Sequence, residues 1–234
     1  MPFIAFIDPP SVGPGPGLTV FTIFFGERIG STAAPSGAPL AARQEFDSYL
    51  PLEDFGGVNP AVETWEGKSL GAGLDSTSST HSGYPVSGTA LVSWMADTSG
   101  GNFDNGDKIG FYDSPFGGRY NTTAGGAWYL ECALPLILQP EDPFDNFGLY
   151  LTDIGDFGSQ MRIELRDTDG VTTTYTLAHA INAGNTLHFW GFIDPTGKKY
   201  NRIRIRPTGT PDGGGTRFDD FFGIDDVVLG RAFD

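Results

Sequence analysis

The segment that decides the fold lies at residues 218–230 and reads FDDFFGIDDVVLG. It places two adjacent carboxylates, Asp225 and Asp226, inside an apolar run, although aspartate is a poor strand former. Side chains alternate along a strand, so one of the two must turn toward the core unless the strand bulges. An inward carboxylate needs a cation or several hydrogen-bond donors. The pair therefore predicts either a bound cation or a β-bulge at the rim of a sandwich.

Short strand-like segments at hairpin spacing lie upstream of this pair, separated by turn signals such as Asp-Asn-Gly at 104–106 and Thr-Asp-Gly at 168–170. The chain has 34 Gly and 17 Pro but also 13% aromatic residues, which favours short strands joined by tight turns over disorder. The predicted strands are residues 89–95, 108–113, 127–132, 147–153, 160–166, 171–177, 186–193, 200–206 and 222–229. Only residues 40–50 resemble a helix, and weakly. We expect an all-β chain with a jelly-roll β-sandwich over residues 41–234.

Residues 1–40 differ from this pattern, because Pro/Gly-rich residues 9–17 precede the apolar run LTVFTIFF at 18–25. An unpaired strand of this kind would be prone to aggregation. The run is either the first strand of the sandwich or an extended arm that packs on another chain. We expect the arm, contacting a sister subunit of a homo-oligomer such as a trimer, or a shell protein. The contacting side chains would be Val20, Phe21, Ile23, Phe24 and Phe25.

Charge and hydropathy exclude several classes of protein. The net charge of −15 argues against binding to nucleic-acid phosphates, and no apolar window is long enough to cross a bilayer. The N-terminus reads MPFIAFIDPP and lacks the basic start of a secretory signal. Cys132 is the only cysteine, which excludes an internal disulfide.

Four motifs in the second half of the chain occur in the order and spacing of a known group. They read FGLYLTDIGD at 147–156, IELRDTDG at 163–170, FWGFID at 189–194 and FGIDDV at 222–227. This stretch resembles bacterial exported proteins that carry a PEP-CTERM sorting tag and, more distantly, the jelly rolls of carbohydrate-binding modules. The chain shows neither the signal peptide nor the tag of that group, so we expect the same sandwich in another use.

The resemblance implies a structural calcium ion where the first body strand meets the last. Its ligands would be Asp225 or Asp226 together with Glu45 or Asp47, since carboxylate oxygens suit this hard cation. The alternative is that these carboxylates accept hydrogen bonds from loop amides.

Two further features are candidates for binding a partner. Arg202, Arg204 and Arg206 alternate along one strand and so share a face. They would meet an acidic subunit or an anionic polysaccharide, or else form a solvated face balanced by nearby carboxylates. Trp65 lies between polar residues and is a candidate for stacking on a sugar, whereas Trp94 and Trp190 are expected in the core.

Catalysis has little support in the sequence. The three histidines, His81, His179 and His188, are scattered, so we expect no zinc cluster. Glu131 and Glu164 lie within predicted strands, where they would either flank a glycosidic bond or face solvent. We expect that the protein is not an enzyme.

Three functional hypotheses follow. The first is a structural protein of an extracellular assembly, such as a capsid decoration or tail protein on the surface of a bacteriophage virion, which needs no signal peptide. The second is a calcium-stabilised carbohydrate-binding module or adhesin, extracellular or on a cell surface. The third is a glycan-acting hydrolase.

Overall fold

A computed structural model of the chain describes residues 18–30, 34–50, 61–63, 82–83, 92–96, 110–112, 115, 117–124, 129–133, 136–140, 142–155, 158–208 and 221–230. These residues form thirteen strands and one helix, α1, at Gly37–Tyr49. The first seven strands are β1 Thr22–Arg28, β2 Ala61–Glu63, β3 Ser82–Gly83, β4 Val92–Ala96, β5 Gly110–Tyr112, β6 Tyr129–Ala133 and β7 Leu136–Pro140. The others are β8 Asn146–Thr152, β9 Met161–Asp167, β10 Thr172–Thr176, β11 Leu187–Ile193, β12 Tyr200–Pro207 and β13 Phe221–Gly230.

The strands build two antiparallel sheets. The seven-stranded sheet has the order β1-β11-β8-β13-β6-β5, with β2 also paired to β13, and the six-stranded sheet has the order β10-β9-β12-β7-β4-β3. The expectation of an all-β sandwich is therefore confirmed, while its jelly-roll winding stays a prediction. Within the described residues, no helix combines the length and the apolar character that crossing a membrane requires.

The main core lies between the two sheets. Alternate residues of β8 and β11, among them Phe147, Leu149 and Trp190, meet Ile163 of β9 and Ile203 of β12 there. All five side chains are fully buried. Each such side chain contributes about 1.5–3 kcal/mol to folding relative to an exposed one, so this layer holds the sheets together.

A second apolar cluster covers the opposite face of the seven-stranded sheet. Phe46 of α1 is fully buried there against Phe24 and Phe189. The helix has no side-chain N-cap bond and no acidic residue in its first turn, so its stability comes mainly from this packing. A Cβ atom on Gly26 would overlap the backbone of Ala38, which shows how closely β1 approaches the helix.

The apolar run at residues 18–25 contributes to the sandwich itself. β1 pairs with β11 along its whole length, from Thr22 opposite Ile193 to Arg28 opposite Leu187. Residues 22–28 are therefore a strand of the sandwich and not an extended arm. The domain boundary expected at residue 40 falls inside α1.

The side chains assigned to the arm divide between the two cores and the surface. Phe24 is buried under α1, and Phe21 and Phe25 pack against the core between the sheets. Val20 and Ile23 are 64% and 40% exposed. Contact of this sheet edge with another chain stays a prediction, and of the five predicted side chains Val20 and Ile23 are the ones exposed for it.

Candidate functional site

The Asp225–Asp226 pair forms a β-bulge in β13. The register against β8 shifts between Asp225 and Val228, and Asp226 has a left-handed φ of 48°. Because one residue is extra, Ile224 and Val227 both face the main core. Asp225 faces the other side of the sheet. The predicted bulge is thus observed, although it lies in a strand that is paired on both sides rather than at the rim, and cation binding stays a prediction.

The buried Asp225 carboxylate holds the loop at residues 117–124. Its Oδ2 accepts hydrogen bonds from the backbone N–H groups of Thr122 at 2.6 Å and Thr123 at 3.0 Å, and from the Thr122 hydroxyl at 3.0 Å. Its Oδ1 accepts a bond from the N–H of Asp226 at 2.8 Å. Burial, and secondarily the charge of Asp226, raise the pKa of Asp225 to about 7 against the opposing effect of these donors. This carboxylate fastens a loop to a strand.

The other predicted calcium ligands, Glu45 and Asp47, lie on exposed positions of α1. Asp47 accepts hydrogen bonds from Arg43 Nε at 2.8 and 2.9 Å. Among the described residues, the four predicted carboxylates do not bring three ligand atoms within 4.8 Å of one another. Calcium binding at these residues therefore stays a prediction without a converged ligand set.

A second buried ionic group lies under the same loop. Arg119 Nε donates to Glu131 of β6 at 2.7 Å, and Arg119 Nη1 lies 3.3 Å from Asp153.

Since Leu130 faces the main core, Glu131 points to the outer face of the seven-stranded sheet. Glu164 points to the outer face of the other sheet, because its neighbours Ile163 and Leu165 face the core. The two glutamates thus lie on opposite sides of the sandwich and cannot flank one glycosidic bond.

Two of the histidines do cluster, against the expectation from sequence. His188 of β11 and His179 of the loop after β10 have ring centroids 5.4 Å apart, and Glu27 of β1 completes a group whose ligand atoms lie within 4.8 Å of one another. We call these three residues the histidine cluster. They are 152 and 9 positions apart in sequence, and only the pairing of β1 with β11 brings Glu27 to His188.

The hydrogen bonds of the histidine cluster favour a structural role over metal binding. His179 Nε2 accepts the N–H of Met161 at 2.8 Å, and its Nδ1 lies 2.7 Å from the carbonyl oxygen of Ala180. Both ring nitrogens are thus occupied, and a metal would have to displace a backbone bond. Glu27 accepts the N–H of Ala180 at 2.7 Å and pairs with His188 Nε2 at 3.1 Å. Burial, more than any other cause, lowers the pKa of His188 to about 4. The cluster ties β1 to the sandwich.

The three predicted arginines of β12 lie on a larger basic surface. In the register with β9, Arg202 is opposite Arg166, Arg204 is opposite Glu164 and Arg206 is opposite Arg162. All six side chains point away from the core, because the residues between them, such as Ile163 and Ile203, are core residues. We call these six residues the arginine face.

Only part of this positive charge is balanced. Glu164 pairs with Arg204 at 3.1 Å and with Arg206 at 2.6 Å, as the solvated-face alternative expected. Arg166 and Arg202 have no ion pair among the described residues, although they are directly opposite each other. Like charges in that position destabilise a sheet by a few tenths of a kcal/mol or more. Five arginines and one glutamate give the face an excess of four positive charges in a chain of net charge −15.

The sequence indicated half of this face. The alternation in Arg202, Arg204 and Arg206 was visible, and the same alternation occurs in β9 as Arg162, Glu164 and Arg166. The pairing of the two strands could not be inferred from either segment. Trp65, the predicted sugar-stacking residue, lies outside the described residues, and Trp190 is fully buried as expected.

Comparison with known proteins gives little further information. No protein-family model and no curated protein match the chain. Among solved structures it is similar to a DUF4465 family protein from Bacteroides ovatus ATCC 8483, with 14% sequence identity and a TM-score of 0.35. The match covers 77% of this chain and 96% of that chain. At this TM-score we infer neither fold nor function from the similarity.

Proposed function

We propose that the chain is a non-enzymatic binding protein of an extracellular assembly, and that it docks through its arginine face on a negatively charged macromolecular surface. The observation that carries the proposal is the concentration of five arginines on two strands of a chain with net charge −15. At physiological ionic strength charges are screened beyond about 8 Å. A partner in contact with this face therefore experiences the local positive charge rather than the net negative one.

The state of the buried carboxylates supports a non-enzymatic role. Asp225 is held by donors from Thr122 and Thr123, and Glu131 is held by Arg119. A general acid or base must reach a substrate proton directly or through one water molecule. Carboxylates that fasten loops inside the protein do not meet this requirement.

The surface of a virion is the setting that we propose for such a protein. A decoration protein needs a rigid module that presents one binding face to the outside, and a jelly-roll sandwich would supply it. The exposed Val20 and Ile23 at the β1 edge would provide a contact between sister subunits. An adhesin on a cell surface would use the same arginine face and is the second candidate.

Binding to an immobilised polyanion tests the proposal. The protein should bind beads coated with dextran sulfate at 50 mM NaCl and be released as the salt concentration rises, because the contacts are charge–charge. The double variant Arg166→Ser/Arg202→Ser should lose at least tenfold in affinity. Arg28→Ser removes one positive charge from an exposed position on the other sheet and is the control for each of the two substitutions made singly. Equal binding by the double variant and the control would refute docking through this face.

A further inference from the structure

We infer that the partner of the arginine face is a linear acidic polysaccharide, whose carboxylate or sulfate groups are clamped between Arg166 and Arg202. This inference rests on the proposed function and specifies its ligand. Four observations carry it: an unbalanced arginine pair, a second pair of opposed arginines along the strands, the lack of an apolar centre, and a neighbouring row of hydroxyl groups.

The unbalanced pair is the centre of the site. Arg166 and Arg202 are directly opposite each other on adjacent strands, which lie about 4.8 Å apart. Neither has an ion pair among the described residues, and the arrangement costs the sheet stability. A single carboxylate or sulfate between the two guanidinium groups would remove the repulsion and accept hydrogen bonds from both.

A second pair of opposed arginines lies farther along the strands, and one of its members, Arg206, is ion-paired with Glu164. Arg162 is opposite Arg206, four residues from Arg166, or about 13 Å at 3.3 Å per residue. Glu164 lies between the two pairs and holds Arg204 and Arg206 in place. Two positive positions separated in this way fit an extended chain with spaced anionic groups better than a single small anion.

A protein partner is disfavoured because the face has no apolar centre. Stable protein interfaces have a hydrophobic core surrounded by a polar rim. The large exposed apolar side chains of the described residues lie in the β1 segment, in the β9–β10 turn or in the loop after β10. These residues are Val20, Ile23, Ile29, Val171 and Ile181. A hydrated polymer needs no such core.

A nucleic acid is disfavoured because the face offers nothing for bases to stack on. Single strands bind to aromatic side chains along a basic groove. The aromatic residues of β9, β10 and β12 are Tyr175 and Tyr200, and both pack toward the core. Tyr175 is stacked on Phe21 with ring centroids 5.3 Å apart.

Hydroxyl groups beside the arginines suit a sugar chain. Thr172, Thr174 and Thr176 of β10 are exposed and lie opposite Arg166, Glu164 and Arg162 of β9. Each hydroxyl can donate and accept a hydrogen bond. A polysaccharide lying along β9 and β12 would place its own hydroxyl groups against this row.

A panel of polymers of matched length tests the inference on the full chain. We expect polygalacturonate or dextran sulfate to bind at least tenfold more tightly than neutral dextran, poly-L-glutamate and single-stranded polydeoxythymidine. Comparison of the two acidic polysaccharides distinguishes a carboxylate ligand from a sulfate ligand. If poly-L-glutamate or the DNA binds as tightly, the polysaccharide inference is wrong while docking through the face survives. If no polyanion binds, both are wrong.

Substitutions test the clamp separately. Arg166→Ser and Arg202→Ser should each weaken polysaccharide binding about tenfold, and the double variant should lose little more, because both groups hold the same anion. Arg28→Ser should bind within twofold of the wild type. Since the opposed charges destabilise the sheet, either single variant should melt at the same temperature as the wild type or higher. Wild-type affinity in both single variants would overturn the clamp.

Discussion

Asp225 Oδ2 accepts the backbone N–H of Thr122 at 2.6 Å, across 103 residues of sequence. The bond is possible because the bulge at Asp226 lets Asp225 face the loop while Ile224 and Val227 stay in the core. One irregularity in the last strand thus positions a loop that lies over a hundred residues earlier in the chain. The conformation of residues 117–124 and the strand register therefore depend on each other.

The first prediction concerns the pH dependence of stability at Asp225. Its pKa is raised to about 7, so between the unfolded value near 3.8 and 7 the folded state binds a proton that the unfolded state does not. Its contribution to stability therefore increases as pH falls through 7, by about 4 kcal/mol at most at 1.36 kcal/mol per pKa unit. Asp225→Asn should remove this dependence.

Urea unfolding at pH 8, 6 and 4 measures the effect. The unfolding free energy of the wild type minus that of Asp225→Asn should increase toward acid pH. Asp169→Asn, which removes an exposed carboxylate in the turn between β9 and β10, serves as the control. Parallel pH profiles for wild type and Asp225→Asn would show that this carboxylate is ionised in the folded state throughout the range.

The second prediction has the opposite sign and concerns His188. Burial lowers its pKa to about 4, so between pH 6.5 and 4 the unfolded state binds the proton and the folded state does not. His188 therefore costs stability as pH falls through this range, by roughly 3 kcal/mol at most. His188→Gln should flatten that part of the profile, measured by the same urea series. A steeper acid loss in the variant would contradict a neutral, buried His188.

The third prediction separates folding from assembly at β1. Phe24 is 4% exposed and packs on Phe46, so Phe24→Ala should cost about 3–5 kcal/mol in unfolding free energy. Ile23 is 40% exposed, so Ile23→Thr should change stability by less than about 0.5 kcal/mol. If the β1 edge contacts a sister subunit, Ile23→Thr should reduce the oligomer in sedimentation equilibrium. Loss of assembly without loss of stability in Phe24→Ala would restore the arm interpretation.

The fourth prediction concerns calcium. Asp225 accepts bonds from Thr122, Thr123 and Asp226, and Asp47 is paired with Arg43. Because these carboxylates already accept hydrogen bonds from protein donors, we expect the protein to melt at the same temperature in EDTA and in about 2 mM CaCl₂. A melting temperature that rises with calcium, and does so less in Asp226→Asn than in Asp167→Asn, would support the predicted calcium site.

Much of the fold was predictable from local patterns. Each of the nine strands predicted from residue 89 onward overlaps an observed one, and the weak helical segment at 40–50 corresponds to α1. β7 was missed because it ends at Pro140, and proline rarely lies inside a strand. β2 and β3 have only three and two residues, too few to show a period.

The site was less predictable, because it depends on pairing between distant segments. The Asp225–Asp226 bulge could be anticipated, because a regular strand would turn one of two adjacent carboxylates toward the core. Glu27 and His188 come together only through the register of β1 and β11. Arg166 and Arg202 likewise meet only through the register of β9 and β12. No local pattern contains that information.

The two sheets differ in how much change they can tolerate. β8 and β11 are buried at every position, under the other sheet on one side and mainly under α1 on the other. Nearly any substitution there alters folding. β9 and β12 leave one side in solvent, where side chains can change with little effect on the core. If proteins derived from this chain came to prefer different ligands, we would expect the substitutions among the outward residues of β9 and β12. The residues of β8 and β11 would stay nearly unchanged.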